Sequence, residues 1–109
     1  MIIEDILLKN IVNRLKKNVR LIRRIMKFDK KDDLSTNWNN GYIKVAVFLI
    51  DQINTFLISR EDLIEYSMNQ RNTLKKLILK LKDNPHLRAK YAGQNEVFED
   101  IFLILKKVS

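Results

Sequence analysis

The chain of 109 residues contains no cysteine, one proline, two glycines and one histidine. The missing cysteine excludes disulfides, thiol nucleophiles and zinc sites built on thiolate. Gly41 and Gly93 stand alone, so no glycine-rich phosphate loop exists. With no linker, repeat or low-complexity tract, the sequence reads as one domain over 1–109. His86 cannot form a two-histidine metal site, and the Arg-x4-His nuclease pattern fails because Leu81 stands five residues before it. In the first turn of a short helix His86 reads as a surface or capping side chain. Glu61, Asp62 and Glu65 share a helical face, but acids at a helix N-terminus need no cation to explain them. These absences lead us to expect no enzyme, no metal and no cofactor.

No uninterrupted apolar run is long enough to span a bilayer, since Lys44 and Asp51 break 42–58. The start Met1-Ile2-Ile3-Glu4-Asp5 is acidic where a secretory signal is basic. The expected location is therefore the cytoplasm, in the cytosol or a nucleoid, and a membrane partner is not expected.

Apolar residues make up 46% of the chain and charged residues 31%, enough apolar surface for a folded core. The formal charge of +8 is unevenly distributed. Segment 9–31 carries ten basic residues against Asp29 alone, and segment 71–90 carries seven against Asp83 alone. The remaining residues hold four basic and eleven acidic side chains, so they are net acidic. Segregation of this kind marks a polyanion-facing surface.

The apolar spacing predicts an all-α fold, a bundle of four to six helices around a buried central helix at about 42–58. Apolar residues 8, 11, 12, 15, 19, 22 and 26 step by three and four, which gives a first helix over about 3–28. Lys9, Lys16, Lys17, Arg20, Arg23, Arg24 and Lys27 then project away from its apolar stripe. Residues 29–41 are polar and end in Asn40-Gly41, which predicts the principal loop, with Trp38 plugging one end of the core. The run 42–58 is apolar nearly all round, so it is expected to be the most buried element. Ser59 to Asp62 has the form of a capping box and opens a helix. From there, either one helix runs 60–82 or two meet near Asn69. Asn84-Pro85 predicts a short helix 85–92 stopped at Gly93, and a last helix follows over about 95–108.

Stretch 59–82 looks like a helix-turn-helix in which Arg71, Asn72, Lys75 and Lys76 would lead into a major groove, although it lacks glycine in the turn. The phrase Tyr91-Ala92-Gly93-Gln94-Asn95-Glu96-Val97-Phe98 is similar to one in some small subunits of multisubunit CRISPR effector complexes. That resemblance covers eight residues, and the helices expected after it are missing. It implies an all-helical support for nucleic-acid backbones that performs no chemistry.

The expected function is non-catalytic nucleic-acid binding, to DNA or RNA, either alone or as a small helical subunit of a nucleoprotein complex. Phosphate contacts are expected from Lys16, Lys17, Arg20, Arg23, Arg24, Lys27, Arg71, Lys75, Lys76 and Lys80. The rival reading is a small protein-binding module, an inhibitor, immunity or adaptor protein, whose basic face docks on an acidic partner.

Overall fold

The computed structural model describes residues 5–28, 33–55 and 58–108, with Lys107 and Val108 described by backbone alone. It contains four helices, α1 (Ile6–Phe28), α2 (Asp33–Asn54), α3 (Arg60–Lys80) and α4 (Pro85–Val108), and no strand among the described residues.

Three helix starts follow from local chemistry. Asp5 precedes α1, and its Oδ1 accepts from the backbone N–H groups of Leu7 at 2.9 Å and Leu8 at 3.2 Å. Ser59 Oγ accepts from the Asp62 N–H at 3.2 Å, and Asn84 Oδ1 accepts from the Leu87 N–H at 3.1 Å. Each satisfies N–H groups that a helix start leaves without partners, and Pro85 occupies the first position of α4, where no N–H is needed. Of the predicted apolar stripe of α1, Leu8, Ile11, Val12, Leu15, Val19 and Ile22 are buried and Met26 is half-buried, and Leu7 joins them in the core.

Helices α2 and α4 share the most extensive interface of the molecule, and their glycines make it. A Cβ at Gly41 would fall on the carbonyl oxygen of Lys90, and one at Gly93 on the carbonyl oxygen of Trp38. The two backbones therefore touch directly.

This seam corrects two sequence expectations. Residues 33–41 are helical rather than looped, and the chain runs through Gly93 without a stop. Glycine and asparagine favour turns locally, but the burial gained where α2 meets α4 exceeds a helix-propensity cost of about 1 kcal/mol per glycine. The rest of the expected loop, 29–32, lies outside the described residues, as do Phe56 and Leu57 at the end of the expected central helix.

Helix α2 buries one face, with Tyr42, Ala46, Leu49 and Ile53, while Phe48 is 45% exposed and Val47 is also exposed. The expectation that this run is apolar and buried nearly all round is corrected at those two positions. Helix α3 is continuous, with no turn near Asn69, so the helix-turn-helix reading does not hold.

Three sets of contacts fix the helix directions. Gly41 lies against Lys90 and, further along both helices, Phe48 and Phe98 meet the same Tyr66 ring, so α2 and α4 run in the same direction. A tight turn, closed by the Asn84 N–H donating to the Leu81 carbonyl at 3.2 Å, reverses the chain between α3 and α4. The starts of α1 and α3 meet through Asp5 and Arg60. Further along these helices, Asn18 and Arg71 reach the neighbouring α4 residues Asp100 and Glu99, so α1 and α3 run together, opposite to α4.

Candidate nucleic-acid interface

This up-and-down arrangement collects charge by end of the bundle. The end that holds the last turns of α1 and α3 and the first turns of α2 and α4 carries Arg20, Arg23, Arg24, Lys27, Lys76, Lys80, Lys82, Arg88 and Lys90. Its described acids are Asp33 and Asp83. The opposite end holds Asp5, Asp51, Glu61, Asp62 and Glu65. The two basic segments of the sequence therefore meet through topology, at one end, although α1 packs chiefly on α2 and α3 on α4.

All six expected cations of α1, Lys16, Lys17, Arg20, Arg23, Arg24 and Lys27, are exposed. Among the described residues none of them forms an ion pair, and the same holds for the exposed Lys76 and Lys80. Arg71 and Lys75 differ. Arg71 Nε donates to Glu99 Oε1 at 2.7 Å, and its guanidinium lies over the Phe102 ring, 5.0 Å from the centroid. Lys75 Nζ lies 3.7 Å from the same carboxylate oxygen. Both residues belong first to the α3–α4 interface. No sequence pattern marks this, because Glu99 lies 28 residues beyond Arg71.

Two acids of α4, Glu99 and Asp100, have partners within the fold. Tyr42 is almost wholly buried and its hydroxyl donates to Asp100 Oδ2 at 2.6 Å. Asn18 Nδ2 donates to the Tyr42 hydroxyl oxygen at 2.8 Å and to Asp100 Oδ2 at 3.2 Å. This cluster ties α1, α2 and α4 together at mid-height. Burial, reinforced by the hydrogen bond to Asp100, holds the Tyr42 phenol far above the ordinary tyrosine range. Nearby, burial pushes the Glu96 carboxyl up, and the charges of Asp100 and Glu99 add to the effect. Among the described residues only Asp33 and Asp83 offset the nine cations of the basic end, so it keeps a net positive field.

The other singled-out residues have packing explanations. Trp38 is stacked on Tyr42, with ring centroids 5.7 Å apart and planes 19° from parallel. His86 is exposed near the start of α4. In the phrase 91–98, Gly93 sits in the α2–α4 seam while Val97 and Phe98 are core, so packing alone accounts for those residues. Among the described residues, no three His, Asp or Glu side chains stand close enough to hold a metal, and no helix is long and apolar enough to cross a membrane. No protein family, no curated protein and no solved structure matches this chain.

Proposed function

We propose that this protein binds nucleic acid without catalysis, alone or as a small subunit of a nucleoprotein assembly, gripping phosphates with the basic end of its bundle. The observation that supports this reading most is the convergence of α1 and α3 cations, exposed and without ion pairs among the described residues, on one end of the molecule. The residues that meet the phosphates are Arg20, Arg23, Arg24 and Lys27 of α1 with Lys76 and Lys80 of α3, and Lys16 and Lys17 extend the contact along α1 toward mid-height. Arg71 and Lys75 stand behind them as members of the α3–α4 interface. Phosphate contacts of this kind supply affinity and position, with little reading of sequence.

Fluorescence anisotropy at several salt concentrations tests the proposal. Neutralising Arg20, Arg23, Arg24 and Lys27 together weakens binding to unrelated sequences about equally. It also flattens the dependence of log affinity on log salt by roughly 0.7 to 0.9 for every phosphate that is no longer neutralised. Wild-type protein that binds neither DNA nor RNA at low salt ends this reading and leaves the acidic-protein partner in its place.

A further inference from the structure

Helix α1 carries a second apolar row that the core does not use. Leu21, Ile25 and Phe28 are 45%, 56% and 86% exposed, although Val19 and Ile22 on the same helix are buried. Their spacing of four and then three places them in one line along the helix surface. That line runs beside the cations: Lys17 precedes Leu21 by four residues, and Arg24 follows it by three and precedes Phe28 by four. The row spans about 10 Å at 1.5 Å per residue. Exposed apolar groups set among cations that form no ion pair with the described residues fit a ligand that presents negative charge and apolar faces side by side.

Resting on the nucleic-acid reading, we infer that the ligand is single-stranded, its phosphates held by Lys17, Arg20, Arg24 and Lys27 and its bases laid on Leu21, Ile25 and Phe28. A regular duplex turns charged phosphates outward and keeps base faces stacked inside, so it would set phosphate against this apolar row. A single strand has free base faces, and the stacking of such faces on an aromatic ring is tolerant of sequence. Phe28, the most exposed large apolar residue on α1, serves as the stacking platform, and Leu21 and Ile25 extend the apolar track.

The test compares an oligothymidylate strand with a duplex of equal length, using wild type and the variants F28A and L21S/I25S/F28S. The substituted side chains are exposed, and thermal melting checks that each variant keeps the wild-type midpoint. Wild type is expected to prefer the single strand. F28A loses roughly tenfold in affinity for it, the triple variant loses more, and the slope against log salt is unchanged because the same phosphates are still neutralised. Equal binding of strand and duplex, with the triple variant unaffected, overturns this inference while leaving phosphate binding standing. A fall in the salt slope on removing the apolar row also overturns it. Wild type that binds neither polymer overturns both readings, and apolar-row-dependent flotation with phosphatidylserine vesicles would then assign the row to an anionic membrane.

Discussion

One carboxylate, Asp5, holds both the first turn of α1 and the guanidinium of Arg60. Its Oδ1 accepts from the N–H groups of Leu7 and Leu8, while Arg60 Nη2 and Nε donate to Oδ1 and Oδ2 at 2.8 and 3.0 Å. The starts of two helices 55 residues apart are thus fastened by a single side chain. The hydrogen bond from Arg60, aided by those backbone N–H groups, holds the Asp5 carboxyl below its ordinary range against the opposing effect of burial.

That shift fixes the sign of a pH effect. A carboxylate whose folded pKa is lowered adds stability that is complete above its unfolded value, about 3.9, and is lost as pH falls through the folded value. Asp5→Asn keeps a capping oxygen, so it removes this acid-side loss and forfeits at neutral pH only the exposed ion pair with Arg60. Asp5→Ala loses the cap as well, which is worth about 1 kcal/mol more. Urea unfolding between neutral pH and pH 3 separates the two variants.

Glu96 titrates with the opposite sign. Its raised pKa means that the folded state binds the proton more readily than the unfolded chain, so this group adds stability as pH falls through its folded value. Glu96→Gln is expected to be as stable as wild type or more so at neutral pH, and to show no such gain on acidification. Thermal melts over the same pH series provide the check.

Gly93→Ala and Gly41→Ala test the seam. At an ordinary helix position, replacing glycine by alanine gains up to about 1 kcal/mol. Here the added methyl meets a backbone carbonyl of the facing helix, which cannot rotate away as a side chain would. Each variant is expected to lose about 1–3 kcal/mol or more by overpacking. Denaturant midpoints above wild type for either would show that the two backbones do not touch.

Adjacent residues of α2 should respond differently to truncation. Leu49 is 1% exposed, and Leu49→Ala is expected to cost about 2–5 kcal/mol. Phe48 keeps a tilted ring contact with Tyr66 at 6.5 Å, but nearly half of it meets solvent, so Phe48→Ala is expected to cost about 1–2 kcal/mol. Chemical denaturation of the two variants measures the difference.

These two residues also mark how far the sequence could be read. The helical class, the apolar stripe of α1 and the caps at Ser59 and Asn84 are legible because each depends on residues within one or two turns. Phe48 and Leu49 are indistinguishable by composition, and only the direction from which α4 and α1 approach decides which is buried. Asn40-Gly41 and Gly93 read as breakers because local propensity takes no account of a second backbone. The exposed α1 cations follow from helical period alone. The diversion of Arg71 and Lys75 to Glu99 required knowing that α3 doubles back on α4.

The approach of Gly41 to the stretch around Lys90 joins segments about 50 residues apart, with all of α3 between them in the chain. Neighbouring hairpins cannot build it by zipping outward from a turn. The chain must first close a loop that encloses α3, and the entropy of that closure is lost before the seam's packing can offset it. Folding is therefore expected to be slower than for a bundle of the same length whose closest pairs are consecutive helices. A polypeptide still emerging from the ribosome can form α1 and α2, yet it leaves Trp38, Tyr42 and Leu49 without their cover until α4 has been synthesised.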